Sequence, residues 1–310
     1  MPHALRPLSQ RRLGILYSLT AYGIWGLIPL YFRAVHAVSP FEVLSHRIVW
    51  SFVLLLAVLA GGRQFAWLRQ LRERPSILLS FLASAALLTI NWFVYISAVV
   101  AGHVVDASLG YFINPLLSVV LAVLFLRERL RALQWVAVSV AALGVLWLTV
   151  LVGHLPWIAL TLAASFGLYG LLRKTAALDA LVGLALETTL LLPPALAYLY
   201  WLARTGNGAW AGATLNLKLL LIAGGPITAV PLLCFAAGAR RIPLSLVGIL
   251  QYLGPTLQLL LGIWVFHEAF APAKMAGFSL IWGAVLLFSI EGFIVARRSA
   301  AVTTPTGSTH

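Results

Sequence analysis

Charge is the scarcest ingredient of this chain: only 9% of its 310 residues are Asp, Glu, Lys or Arg, and just 8 of them are acidic. A water-soluble domain covers its surface with roughly 25% charged residues, so an aqueous globule is excluded. Cysteine is scarcer still. Cys234 stands alone, which rules out an internal disulfide and a thiolate metal cluster. The 7 histidines include no H-E-x-x-H helix, and so few carboxylates do not build a hydrated metal cage. No metal or other cofactor is therefore expected. There is no glycine-rich loop of the phosphate-cradling kind, which argues against ATP hydrolysis.

Apolar residues, by contrast, make up 62% of the chain. They gather in runs long enough to cross the hydrocarbon core, for which a helix needs about 20 residues. Ten runs read as spans: Leu13–Phe32, Pro40–Ala60, Ser76–Val100, Val105–Leu126, Ala132–Val152, Pro156–Leu172, Ala180–Leu202, Leu217–Gly238, Leu244–Phe266 and Pro272–Ala296. Some starts carry their own signals. Ser39-Pro40-Phe41-Glu42 combines an N-cap serine, a first-turn proline and a glutamate placed to close a capping box. Asp179 is placed to cap the seventh run, and Pro156 and Pro272 suit first-turn positions. Ten spans with short turns leave no room for a soluble domain. The fold class is an all-α membrane protein of ten transmembrane helices, with the lipid bilayer as its solvent.

The net charge of +13 does not indicate nucleic acid, because the basic residues are scattered between apolar runs and not gathered on one face. Membrane topology accounts for the scatter. With a cytoplasmic N-terminus, that side carries Arg6, Arg11, Arg12, Arg63, Arg69, Arg72, Arg74, Arg127, Arg129 and Arg131. It also carries Arg173, Lys174, Arg240, Arg241, Arg297 and Arg298, whereas the far side has only Arg33, Arg204, Lys218 and Lys274. Both termini are thus expected in the cytoplasm, which requires an even number of spans. The basic stretch before the first run lacks a cleavage-site pattern, and that run is long enough to span.

The chain also repeats itself. A shift of 140 residues lays Asn114-Pro115 on Gly254-Pro255, Arg127-Glu128 on His267-Glu268, Phe112 on Tyr252 and Arg47 on Glu187. A shift of 144 lays Tyr22-Gly23-Ile24-Trp25-Gly26-Leu27 on Phe166-Gly167-Leu168-Tyr169-Gly170-Leu171. Residues 13–152 and 156–296 then form two five-helix repeats, flanked by a basic segment 1–12 and a tail 297–310. Five is odd, so the second copy enters the membrane inverted. Inverted repeats are the architecture of alternating access around a site near the midplane. A duplication with a purely structural result is the alternative.

Prolines within the runs (Pro29, Pro115, Pro193, Pro194, Pro226, Pro231 and Pro255) each remove a backbone donor. They predict interrupted helices lining a pathway, or simple packing kinks. Arg47 and Glu187 are charges within spans, where insertion costs about 2.5–3.5 kcal/mol for a charged residue at the centre. They are expected either to face a central cavity, pairing directly or binding opposite ends of a polar solute, or to form a structural ion pair. The polar and aromatic set around them is Asn91, Trp92 and Tyr95 on the third helix, Tyr111, Asn114 and Ser118 on the fourth, and Gln251, Tyr252, Pro255 and Gln258 on the ninth. Trp25 and Tyr169 are repeat mates. Together these side chains suit an aromatic or amphipathic solute. His46 and Glu187 are the candidates for proton coupling, with packing as the alternative for His46. Trp67 and Trp157 read as interface anchors. Asp106, Glu128, Glu268 and Glu291 read as capping or loop-pairing residues.

These residues resemble the RarD subgroup of EamA-type permeases, within the drug/metabolite transporter superfamily. The resemblance rests on Ala21-Tyr22-Gly23-Ile24-Trp25-Gly26, Glu42-Val43-Leu44-Ser45-His46-Arg47 with Trp50-Ser51, Asn91-Trp92, and Ala107-Ser108-Leu109-Gly110-Tyr111-Phe112-Ile113-Asn114-Pro115-Leu116. It continues through Tyr169-Gly170-Leu171-Leu172-Arg173-Lys174, Glu187-Thr188, Pro231-Leu232-Leu233-Cys234-Phe235 and Gln251-Tyr252 with Gly254-Pro255-Thr256. It implies two inverted EamA repeats in a bacterial inner membrane, and members are commonly labelled chloramphenicol-sensitive or chloramphenicol-resistance permeases. The chain departs from the family pattern at Asp106, where glutamate is usual, and at Ser97-Ala98-Val99-Val100, where Trp-Ala-Val-Asn is expected. The expectation is a secondary transporter of a small organic solute, present as monomer or homodimer. A channel would need a filter or charged ring, and a membrane enzyme a nucleophile–base pair or metal motif; none is visible. A membrane scaffold is the third alternative.

Overall fold

The computed structural model describes residues 7–65, 67–100, 104–153, 157–265 and 272–302, all of whose regular elements are helical. In chain order these are α1 (Pro7–Ala34), α2 (Pro40–Gly61), α3 (Trp67–Glu73), α4 (Ser76–Val100), α5 (Val104–Leu126), α6 (Ala132–Val152) and α7 (Trp157–Thr175). They continue as α8 (Ala180–Thr205), α9 (Ala209–Gly212), α10 (Leu215–Ala239), α11 (Leu244–Gln251), α12 (Leu253–Trp264) and α13 (Pro272–Val302). Nine of the ten apolar runs each coincide with one helix, the ends moving by a few residues, and the ninth falls on two. Two short helices, α3 and α9, fall in connections that the apolar pattern does not mark.

Seven described stretches are long and apolar enough to cross a membrane, with Gly110–Leu126 and Met275–Glu291 as shorter apolar helices. Large apolar side chains point outward along them, Leu79, Leu124 and Val150 each being about two-thirds exposed (68%, 67% and 66%). In water that surface would be untenable; against lipid it costs nothing.

Two helix starts, at Ser39 and Asp179, are capped as the sequence suggests, and Thr214 adds a third cap. Ser39 Oγ accepts from Glu42 N at 3.3 Å, Asp179 accepts from Val182 N at 2.9 Å, and Thr214 Oγ1 accepts from Leu217 N at 3.3 Å. Glu42 does not complete its capping box. Its carboxylate instead accepts from Ala209 N (3.1 Å) and Trp210 N (3.3 Å), capping α9 just beyond the end of α8. The start of α2 therefore lies beside the end of α8, and these two helices run antiparallel.

The expectation of several interrupted helices is corrected. Pro29, Pro115, Pro193, Pro194, Pro226 and Pro231 all sit inside continuous helices. Only the ninth run breaks among the described residues, at Tyr252 between α11 and α12. Pro255 has no N–H for the carbonyl of Gln251, and Gly254 just before it weakens the helix further.

The helices pair in a regular way. α1 packs on α10 and α12, while α7 packs on α4 and α5. α2 packs on α8 and α10, and α8 on α4. α5 packs on α11, and α6 lies along α13 outside the remainder. That outer pair meets through Gly144 and Gly277: a Cβ at Gly144 would lie 2.8 Å from the Gly277 carbonyl oxygen, so only glycine permits the approach. Pro156, Glu268 and the side chain of Asp106 lie outside the described residues.

Candidate functional site

A cavity of about 130 Å³ opens among α1, α2, α4, α5, α7, α10, α11 and α12. Eight of the eleven residues expected to meet a solute line it: Trp25, Arg47, Asn91, Trp92, Tyr95, Tyr111, Asn114 and Gln251. The helical spacing that puts Tyr111 with Asn114, and Gln251 with Pro255 and Gln258, turns both faces into the same space.

Three expected residues do not line it. Tyr252 is buried in the packing of α5, α6 and α13, and its hydroxyl donates to the Phe112 carbonyl at 3.4 Å. Tyr169 is fully buried, stacked on Phe235 at 6.0 Å between ring centres. Glu187 is wholly buried, and its carboxylate accepts from Ser84 Oγ at 2.5 Å and from the Tyr169 hydroxyl at 3.3 Å. Its cationic partner is Arg173 Nη1 at 3.6 Å, not Arg47. His46 also turns away from the cavity and stacks on Trp210 at 4.9 Å.

The separation of Arg47 from Glu187 has a geometric cause. Each lies seven residues into its helix, about 10 Å at 1.5 Å per residue, but α2 and α8 are antiparallel and start at opposite ends of the bundle. The two charges therefore lie at different depths. Each still occupies an equivalent contact: Arg47 lies against Gly224 and Thr228 of α10, and Glu187 against Ser84 of α4, the position equivalent to Gly224. Arg173, which the topology count treats as a surface cation, is only 1% exposed. Its Nη2 donates to the Ala180 carbonyl at 3.0 Å, and its guanidinium lies 5.4 Å from the centre of the Phe81 ring. A small space of about 10 Å³ adjoins Glu187, too little for a second solute site.

Arg47 is held differently. Its Nε donates to Thr228 Oγ1 at 2.7 Å, and the Thr228 hydroxyl donates onward to the Gly224 carbonyl at 2.7 Å. The guanidinium faces the rings of Phe32 and Trp92 at 5.5 and 5.8 Å. Asn91 Nδ2 ties α4 to α7 by donating to the Leu162 carbonyl (2.9 Å) and Ser165 Oγ (3.0 Å). Gln258 Nε2 donates to the Trp25 carbonyl at 3.1 Å. Sequence reasoning missed Thr228, Phe32 and Phe166 on the cavity wall. Thr228 is the 140-residue mate of Leu88, also on the wall, but Leu88 is one of many apolar residues in its run and gave no signal in the sequence.

One end of the cavity is closed in layers. Phe235 sits amid Tyr22, Trp25, Phe166 and Tyr169, with ring centres between 5.2 and 6.3 Å from its own. Beyond these rings, Lys174 Nζ donates to the carbonyls of Ala239 (2.9 Å) and Ile242 (2.7 Å). Glu128, read as a capping or loop-pairing residue, takes the capping role, and the helix it caps is α11, far away in the chain. It accepts from Leu244 N (2.7 Å), Ser245 N (3.2 Å) and Ser245 Oγ (2.7 Å), joining the end of α5 to the start of α11. Glu291 follows the expectation and pairs with Arg131, whose Nη2 donates at 2.7 Å.

An all-helical chain with apolar outer faces and a polar, aromatic-lined internal cavity is a multi-pass membrane protein of the solute-carrying kind. The sequence profile of the EamA-like transporter family matches residues 12–150. The chain is 43% identical over 291 residues to Protein RarD of Escherichia coli (strain K12), covering 94% of this chain and 98% of that one. It is 48% identical to an uncharacterized transporter of Vibrio cholerae, covering 90% and 92%, and 34% identical to the chloramphenicol-sensitive protein RarD of Pseudomonas aeruginosa, covering 93% and 97%. A solved crystal structure shares the fold, with a TM-score of 0.67 over 89% of this chain and 97% of that one at 22% identity. The chain belongs to the EamA-like transporter family, alongside the RarD proteins, and that is a family of transporters and not of enzymes.

Proposed function

We propose that this protein is a secondary transporter that moves a small organic solute across a bacterial inner membrane by alternating access, with ten spans in two inverted repeats and both termini cytoplasmic. The carrying observation is that the cavity lies between two halves, residues 13–152 and 156–296, whose helix contacts correspond. Exchanging the halves maps α1 on α7, α2 on α8, α4 on α10, α5 on α11 with α12, and α6 on α13. Under that exchange the α1–α10 contact becomes α7–α4, α1–α12 becomes α7–α5, and α2–α10 becomes α8–α4, each of which is present. The contacts α2–α8, α5–α11 and α6–α13 map onto themselves. Two packings related in this way have nearly equal energy when exchanged, which is what alternate opening requires.

In this conformation the layers from Phe235 to Glu128 seal the end at which α10 stops and α11 starts. Opening there would part α5 from α11 and release the cap. Trp92, Tyr95, Tyr111, Asn91, Asn114, Gln251 and Arg47 supply the contacts to the solute. Purified protein in liposomes, assayed for flux of aromatic and amphipathic solutes with and without a pH gradient, tests the reading. Saturable flux that is lost on Trp92→Ala together with Tyr111→Ala supports it. Folded protein that moves none of them, or whose flux is unchanged by a cysteine pair locking α5 to α11, refutes it.

A further inference from the structure

We propose that the solute carries a carboxylate on a flat apolar body, with Arg47 as the residue that selects the anion. The assignment rests on the cavity being the transport site and names the chemistry of what that site accepts. Among the described lining residues Arg47 is the only ionisable side chain of either sign apart from tyrosines; no Asp, Glu, Lys or His joins it. The deep acid at the equivalent position, Glu187, is already taken by Arg173, Ser84 and Tyr169. Among the described lining residues the space therefore carries one positive charge without a counter-ion, between low-dielectric walls, which concentrates anions and repels cations.

The way Arg47 is mounted points the same way. Thr228 spends its hydroxyl hydrogen on the Gly224 carbonyl and so presents a lone pair to Nε. This pins one edge of the guanidinium while the stem packs on Gly224. The terminal amino groups make no hydrogen bond or ion pair to a described residue. Two parallel N–H donors in a fixed fork match the paired oxygens of a carboxylate, and an ammonium group offers them no acceptor. The guanidinium carbon lies over the rings of Phe32 and Trp92. Trp25, Phe166 and Tyr111 supply the apolar wall, and the Asn114 Oδ1, buried without a donor, is an acceptor for an N–H on the solute body.

Three ligands with one ring system separate charge from shape: indole-3-acetate, its neutral amide indole-3-acetamide, and the cation tryptamine. Stabilisation of the purified full-length protein against heating is measured for each, and flux of each is measured in liposomes. The acetate is expected to bind about 10- to 100-fold more tightly than the amide, the value of charge-assisted hydrogen bonds to one arginine, and tryptamine more weakly than either. Arg47→Gln is expected to erase the difference between acetate and amide while leaving the amide's own binding, which also reports that the variant is folded. Arg47→Lys keeps the charge but not the fork and is expected to retain part of the preference. Equal or stronger stabilisation by the amide or the amine, or none by the acetate at millimolar concentration, overturns the assignment. Flux of all three without discrimination overturns it and leaves transport standing. Acetate-specific stabilisation with no flux of any of the three overturns transport and leaves the anion site standing.

Discussion

Replacing Arg173 with methionine would leave the Glu187 carboxylate wholly buried with only two hydroxyl donors, Ser84 and Tyr169. Breaking a buried pair by removing one partner costs about 3–5 kcal/mol, because the remaining charge is uncompensated. Two features place this pair at the low end. Its 3.6 Å separation exceeds that of a charge-assisted hydrogen bond, and the two hydroxyls stay behind to solvate the carboxylate. Arg173→Met is therefore expected to cost about 3 kcal/mol. Glu187→Gln keeps an oxygen for Ser84 but strands Arg173, whose other hydrogen bond is to the Ala180 carbonyl, and is expected to cost about 2 kcal/mol. The double variant removes both charges together and should cost no more than either single change, since methionine still packs on Phe81 in the space left open by Gly183. The measurement is reversible unfolding in mixed detergent micelles followed by circular dichroism, taken round the double-mutant cycle. A coupling energy of about 3 kcal/mol is the expected result. Additivity to within about 0.5 kcal/mol would refute the reasoning, because independent sites add to that tolerance.

Other changes probe other contacts. Glu128→Ala removes three accepted hydrogen bonds at the start of α11 and should cost about 1–2 kcal/mol; a thiol-reactive label at a cysteine introduced at Ser245 should react faster in that background. Gly225→Ala places a Cβ 2.5 Å from the Trp50 backbone, so α2 and α10 must separate, whereas Gly23→Ala meets nothing within 4 Å. The first should lower the melting temperature by several degrees and the second should leave it unchanged or raise it, as read by thermal unfolding in detergent. His46→Gln should change solute flux by less than about twofold at every pH between 6 and 8, because the ring stacks on Trp210 outside the cavity; a lost pH dependence would contradict this geometry.

The helices themselves were legible in the sequence because lipid offers the backbone no hydrogen-bond partner. Each apolar run must satisfy its own N–H and carbonyl groups, so its length and a bounding residue such as Ser39 or Asp179 determine the element locally. The equivalence of Arg47 and Glu187 was legible too, since a repeat is written in residue order. Which charge each one meets was not. Glu187 takes Arg173 from the end of α7 and Ser84 from α4, and Glu128 reaches α11 instead of its neighbouring arginines. Those choices depend on which helices run antiparallel and at what depth their side chains meet. The sequence by itself determined that the chain is a bundle of lipid-facing helices with a few polar groups turned inward. Only the tertiary structure decided that Arg47 borders the cavity without a described counter-ion while Glu187 is sealed away from it, because long-range packing sets the neighbours of a buried charge.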